Sequence, residues 1–212
     1  MTDPGPLSAF QQEVAAVFFE LAASEGFLLA GGAALVANHL TSRPTQDLDF
    51  FRSTSTVTAA RDELEQAATE RGWAASRIRD EATFVRLLIE GPETVLVDLC
   101  LDSPPIRPPV ETPLGPTFAP DELAARKVIA VFDRAEARDF ADLFSLLDRF
   151  PKDVLLRLAN EIDPGFDIKT FGQMLRTVRR HDDSQLVSGG APPGEVRTVC
   201  LDWAAEITSG LE

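Results

Sequence analysis

The stretch Leu28–Phe51, LLAGGAALVANHLTSRPTQDLDFF, constrains the fold more than any other part of the chain. Phe27 to Ala30 is a short apolar run of the kind that forms a buried strand, and it ends directly on Gly31-Gly32. Ala33 to Leu40 reads as a brief helix. The glycine amides therefore fall at a strand-to-helix turn, where backbone can approach an anion and a helix N-terminus favours negative charge. Arg43-Pro44 breaks that helix. Thr45 to Phe51 then alternates polar with apolar residues, which puts Asp47 and Asp49 on one face of a strand and Leu48 and Phe50 on the other.

Around this stretch the sequence predicts supporting elements. Ser8 with Gln11 forms a capping box, and Phe10, Val14, Val17, Phe18 and Leu21 recur at helical spacing in a first helix closed by Gly26. Thr54 to Arg71 is a second amphipathic helix stopped by Gly72, and strands are predicted over Trp73 to Ile78, Thr83 to Ile89 and Thr94 to Leu101. Seven prolines between Ser103 and Pro120 read as a stiff connection. The predicted organisation is thus a core over 1–103, a proline-rich connection over 104–120 and a helical bundle over 121–212. Bundle helices are predicted from Pro120 or Asp121, through Phe140 to Leu147, and over Val154 to Ile162, Ile168 to Val178 and Val196 to Ile207, with a Gly/Pro-rich loop from Ser188 to Gly194.

The chemistry rests on carboxylates. Asp98 is the lone charge in a strand-like run otherwise apolar on both faces, and a buried carboxylate needs a partner. Three acids converging from neighbouring strands repel one another, so a divalent cation is the natural neutraliser, and magnesium binds carboxylate and triphosphate oxygens together. Ordinary readings compete with this one. An Asp-x-Asp alone is more often a surface or ion-paired feature, a glycine pair alone is a tight turn, and Lys127 alone is a solvated helix face. Arg138-Asp139 followed by Asp142 also fits a capping and salt-bridge arrangement at a helix start. His39 has no second His or Cys at metal-ligand spacing.

A net charge of −14 over 212 residues disfavours a wide nucleic-acid footprint, leaving only Arg71, Arg77 and Arg79, or Arg176, Arg179 and Arg180, to build a basic groove. Cys100 and Cys200 each sit in an apolar segment, as free thiols of a reducing compartment do. The opening MTDPGPLSAF has neither a basic nor an apolar signal region, and no run reaches the ~18 apolar residues of a membrane span, so a cytoplasmic protein is expected.

Taken together, LAGGAAL, SRPTQDLDFF, VLVDL, ELAARKVIAVFDR and RDFADLFSLL resemble the AbiEii-type nucleotidyltransferase family, which includes type IV toxin-antitoxin toxins of the MenT kind. The five motifs occur in the family's order over about Phe10 to Phe150. The resemblance implies an α+β fold: a small mixed sheet flanked by helices, followed by a C-terminal helical bundle that closes over the nucleotide. It implies that Gly31 and Gly32 cradle the triphosphate, that Asp47 and Asp49 hold magnesium and that Asp98 is the third acid. Lys127 would contact the phosphates, Arg138 and Asp142 would lie beside the nucleotide, and Arg43 and Thr45 join the nucleotide-binding set. Ala33 departs from relatives that carry Ser there, which removes a hydroxyl contact to phosphate.

The reaction so implied moves a nucleoside monophosphate from an NTP to an acceptor hydroxyl, releasing pyrophosphate. Two magnesium ions ~3.5 to 4 Å apart would be bridged by Asp47 and Asp49, with Asp98 completing one shell and taking the acceptor proton. Lys127 and either Arg43 or Arg138 would offset phosphate charge. The resemblance points to CTP or another pyrimidine nucleotide as donor, tRNA 3′ ends as acceptor and a cognate antitoxin as partner. A small-molecule hydroxyl or a protein side chain is the alternative acceptor. A rival of another class is a non-catalytic nucleotide-binding partner protein, which an Asp98 tied to an arginine would favour.

Overall fold

The computed structural model describes residues 6–186 and 192–210, so most of the expected loop from Ser188 to Gly194 lies outside the described residues. The chain divides into two compact units, one built from residues 1–39 and 44–119, the other from 40–43 and 120–212.

The first unit holds a seven-stranded mixed sheet. Its strands are β1 (Leu28–Ala30), β2 (Asp47–Arg52), β3 (Ala74–Asp80), β4 (Phe84–Glu90), β5 (Thr94–Leu101), β6 (Val110–Thr112) and β7 (Gly115–Thr117), in the order β3-β4-β5-β2-β1-β7-β6. β2 runs parallel to β5 and antiparallel to β1, while β3, β4 and β5 form an antiparallel meander. Alternation decides which side is core. Leu48 and Phe50 from β2, Val85, Leu87 and Ile89 from β4, and Val95, Val97 and Leu99 from β5 are all buried, and by the period of two they share one face.

Three helices accompany the sheet: α1 (Ala9–Glu20), α2 (Gly31–Ala37) and α3 (Thr58–Glu70). The Ser8–Gln11 capping box is present, with the Gln11 amide donating to Ser8 Oγ at 3.1 Å and the Ser8 amide donating to Gln11 Oε1 at 2.8 Å. α1 ends at Glu20 rather than at Gly26, because a 3-10 turn over Ala22–Ser24 intervenes before Gly26 takes φ +81°. Phe18 anchors α1 to the sheet by stacking on Phe50 at 4.0 Å, with Phe27 edge-on at 5.2 Å.

The proline-rich stretch is not a connection between the units. It folds into the β6–β7 hairpin inside the first unit, where Thr117 pairs in parallel with Leu29 and Thr112 Oγ1 donates to the Gly115 carbonyl at 2.7 Å. The one proline within these strands, Pro116, lies in β7, which is three residues long and pairs with β1 through Thr117 rather than through the proline. The junction with the helical unit therefore falls at Ala119-Pro120.

The second unit contains α4 (Pro120–Asp133), α5 (Ala137–Leu146), α6 (Lys152–Ile162), α7 (Ile168–Arg176), α8 (Asp183–Leu186) and α9 (Pro193–Ser209). Its core is an aromatic run, Phe132, Phe166, Phe171 and Trp203, with successive centroids 5.2, 5.6 and 5.1 Å apart. Gly172 lets α7 close on α9, since a Cβ there would meet Ile207 Cγ2 at 3.3 Å. No helix among the described residues is long and apolar enough to cross a membrane.

Phe18 makes ring contacts with both β2 and the segment entering β1. Truncating it to alanine should destabilise the chain by about 3–5 kcal/mol, read as a lowered urea midpoint with an unchanged slope.

Candidate active site

β2 and β5 run in parallel register with Asp49 opposite Asp98, and Asp47 lies two residues before Asp49 on the same strand. Residues paired across a sheet share a face, so three carboxylates project from one side of two adjacent strands, opposite the apolar core. The neighbouring strand adds a fourth group. Arg86 on β4 pairs with Asp98 on β5, and its guanidinium donates from Nε to Oδ1 at 2.7 Å and from Nη2 to Oδ2 at 2.6 Å. The partner that a buried Asp98 requires is thus an arginine of this chain. The hydrogen bonds to Asp98 hold Arg86 above its ordinary pKa, with further support from the charges of Asp47 and Asp49.

Arg86 was not among the residues singled out by sequence, yet a signal for it existed. The short loop Gly91-Pro92-Glu93 joins β4 to β5 and fixes Glu90 opposite Thr94, and that register carries through to Arg86 opposite Asp98.

Thr45 acts on the same cluster from just outside β2. Its hydroxyl donates to Asp47 Oδ1 at 2.8 Å, while its carbonyl accepts from Gln11 Nε2 at 2.9 Å. Gly31, at φ +60°, is required by Asp49: a Cβ there would fall 1.8 Å from Asp49 Oδ2. The side of Gly31 expected to admit a phosphate is therefore occupied by a carboxylate of the site. Gly32 and Ala33 follow it, buried, in α2.

In the second unit, the segment carrying Arg43 and the helices α4 and α5 build a buried ionic network. Arg43 donates to Asp142 from Nε at 2.8 Å and from Nη2 at 3.0 Å. Lys127 Nζ lies 2.9 Å from Asp142 and 3.5 Å from Asp139, and Arg134 donates to Asp139 from Nε at 2.9 Å. Both aspartates are 0% exposed and Lys127 is 9% exposed. Three cations face two anions. Burial pushes both carboxyls up, but Lys127 with Arg43 at Asp142, and Arg134 with Lys127 at Asp139, more than offset it, so both stay below the ordinary carboxylate range.

The ordinary reading of the Arg138-Asp139 segment also has its place. Asp139 closes a capping box on the Glu136 amide at 3.3 Å, and Arg138 pairs with Glu136 at 2.9 Å at the start of α5. Arg138, expected beside the nucleotide, also acts electrostatically on Asp139 of the buried network. Both cysteines are free; burial holds the Cys100 thiol well above its usual pKa and pushes Cys200 up to about 12, so neither suits nucleophilic chemistry.

The sequence profile of the nucleotidyl transferase AbiEii toxin family, of type IV toxin-antitoxin systems, matches residues 15–181. The chain belongs to this family. It is accordingly a toxin-type nucleotidyltransferase, and the family implies an NTP substrate and a cognate antitoxin. No curated protein matches it in sequence. Among solved structures, JHP933 from Helicobacter pylori shares its fold at 16% identity and TM-score 0.58, covering 95% of this chain and 91% of that one. A second H. pylori chain matches at 14% identity and TM-score 0.62, with 96% of each covered. MenT4, the nucleotidyltransferase toxin Rv2826c of Mycobacterium tuberculosis H37Rv, matches at 16% identity and TM-score 0.57, covering 93% of this chain and 82% of that one.

For this AbiEii-family chain, the magnesium expectation can be tested against the residues present. Among the described residues, no group of three or more His, Cys, Asp or Glu side chains is arranged to hold a metal. Asp98 gives both oxygens to Arg86 and Asp47 accepts from Thr45; Asp47 and Asp49 are the pair that the magnesium expectation names. Two carboxylates suffice for magnesium, which keeps waters and substrate phosphates for the rest of its shell.

The site generates two predictions. Gly31→Ala should destabilise the chain by about 1–3 kcal/mol through strain at positive φ, seen as a lowered melting temperature. For the ionic network, the depressed folded pKa values of Asp139 and Asp142 mean that the unfolded chain binds more protons in acid. Their stabilisation is complete above about pH 5 and is lost as pH falls from ~4 through the folded values. Denaturant midpoints measured from pH 7 to 3 should show that fall, and Asp142→Asn should lower the midpoint at pH 7 while flattening the acid limb.

Proposed function

We propose that the chain transfers a nucleoside monophosphate from a magnesium-bound NTP to an acceptor hydroxyl, releasing pyrophosphate in the cytoplasm. The observation that carries this reading is the alignment of Asp47, Asp49 and Asp98 on one face of adjacent strands, in a chain that belongs to a nucleotidyltransferase family. Magnesium held by Asp47 and Asp49 would neutralise phosphate charge and raise the nucleophilicity of the acceptor oxygen. The chain's own residues do the rest. Thr45 holds Asp47 in place by its hydrogen bond, and Gly31 leaves room for the Asp49 carboxylate. Gly31 and Gly32, at the strand-to-helix turn, are assigned to the triphosphate. Asp98, accepting two hydrogen bonds from Arg86, takes the acceptor proton only once that arginine has moved.

The positive charge assigned to the phosphates comes from Lys127 and Arg43. Both are held by Asp142, and Lys127 also lies 3.5 Å from Asp139. Arg138, which pairs with Glu136, is the alternative to Arg43 in this role.

The toxin class supports tRNA 3′ ends as acceptor, with CTP or another pyrimidine nucleotide as donor. One observation favours a compact acceptor instead, a small-molecule hydroxyl or a protein side chain. Arg77 pairs with Glu65 and Asp80, Arg79 pairs with Glu81, and Arg71 lies 3.8 Å from Glu20, so the first candidate groove is neutralised. Of the second cluster, Arg176 donates to Thr208 at 2.8 Å, and Arg179 and Arg180 remain exposed without a described ion pair. A phosphate-tracking surface needs more than two arginines.

Incubation with each labelled NTP and, in parallel, total tRNA, an aminoglycoside or the protein alone should label one acceptor. Asp49→Asn should reduce that labelling at least 100-fold, since the metal-binding charge is lost with the fold retained. Transfer at the parental rate by this variant would remove the assignment.

A further inference from the structure

Nucleotidyl transfer proceeds with the attacking and leaving oxygens roughly in line, so acceptor and pyrophosphate lie on opposite sides of the transferred phosphorus. The triphosphate is assigned to the Gly31-Gly32 turn at the end of β1, and β1 flanks β2 on one side. The acceptor therefore comes from the other side, over β5, β4 and β3. There, on the sheet face opposite the core, Arg79 of β3 pairs with Arg86 of β4, which pairs with Asp98. A β-bulge makes this row. Arg77 lies opposite Leu87 of the core face and holds Glu65 of α3, and a strict period of two would send Arg79 the same way. The register shift between Arg77 and Arg79 turns Arg79 to the other face.

Both guanidiniums lie over one ring, with Cζ of Arg79 4.9 Å and Cζ of Arg86 5.8 Å from the centroid of Phe84. Beside them Leu88 pairs with Leu96 as a half-buried apolar floor. Arg79 is 58% exposed and gives only Nε, at 2.7 Å, to Glu81, itself 52% exposed. Such a surface pair is weak, and neither Nη group of Arg79 has a hydrogen-bond partner among the described residues.

We propose that Arg79, aimed by the bulge and seated on Phe84, is a specificity residue that binds a phosphate neighbouring the acceptor hydroxyl. This rests on the transferase reading above, with the triphosphate at Gly31-Gly32. The acceptor so selected is a nucleotide unit with a free ribose hydroxyl, supplied by a nucleoside monophosphate or by an RNA end. Its phosphate meets the guanidinium and its planar base lies on the apolar floor. The subsite reads a single nucleotide, so it needs no phosphate track. A polycationic acceptor such as an aminoglycoside meets two like charges there instead.

The test measures acceptor KM and kcat on the full chain at saturating NTP. The acceptors are a short oligoribonucleotide with a free 3′-hydroxyl, a nucleoside 5′-monophosphate and the same nucleoside without phosphate. Arg79→Ala should raise KM for the phosphorylated acceptors about tenfold, as loss of a charge-assisted hydrogen bond does, with kcat and the KM for NTP nearly unchanged. Arg79→Lys, which keeps the charge, should recover most of that loss. The bare nucleoside should be a poor acceptor whose KM is insensitive to either substitution. Labelling of the oligonucleotide, the mononucleotide or both supports the proposal and tells the two sources apart. An unchanged KM in Arg79→Ala, or an equal rise for the bare nucleoside, overturns the proposal alone. So does transfer to an aminoglycoside or to protein in preference to both phosphorylated acceptors. Absence of transfer to every acceptor overturns the transferase reading with it.

Discussion

Everything on the acid face of the sheet depends on the parallel register of β2 with β5. That register puts Asp49 beside Asp98 at the spacing of neighbouring strands. Two carboxylates ~5 Å apart repel by roughly 3 kcal/mol at an effective dielectric of ~20, and Asp47 adds to the load. The sheet tolerates this because the neighbouring strand contributes Arg86, paired with Asp98 across the β4–β5 hairpin and within electrostatic reach of the other two acids. The core face is indifferent to these charges. Its Leu, Val, Ile and Phe side chains on the same three strands bury regardless, so hydrophobic burial fixes the register and the acids have to accept the positions it gives them.

The helical unit solves a related problem by other means. Asp139 and Asp142 lie three residues apart on α5, so they point the same way, and both are fully buried. Burying two carboxylates without partners would cost several kcal/mol each. Lys127 from α4 bridges both, while Arg43 and Arg134 each take one in a side-on fork. Arg43 is notable for its origin, because it belongs to a four-residue piece of chain that lies between α2 and β2 yet packs with the helices. Its fork on Asp142 accounts for that placement.

Much of this was legible in the sequence because it follows from short-range periodicity. Alternation over Thr45 to Phe51 predicts that Asp47 and Asp49 share a face, and helical spacing locates α1, α4 and α5 and the lysine that α4 carries. What escaped was set by pairing between elements. The partner of Asp98 is a register fact, and the prolines of 104–120 hide two three-residue strands too short to show a period. The glycine signal was legible in position but not in cause. The sequence places Gly31 at a turn where backbone can approach an anion, and the structure adds that its missing Cβ makes room for the Asp49 carboxylate.

The two ionic clusters differ in one respect that bears on activity. In the helical unit each aspartate is met by more than one cation, at 0% exposure, so no single exchange strips it of its partners. On the sheet, Asp98 has one described partner, and that partner is half-exposed and at the edge of the acid cluster. Exchange there requires only that a competing anion reach Arg86, whereas exchange in the helical network would require unpacking α4 from α5. A cluster in which each aspartate meets more than one cation suits a structural role; a carboxylate with one described partner is the easier of the two to exchange. The same physical rule, that a buried charge must be matched, thus yields a fixed support in one unit and an exchangeable contact in the other.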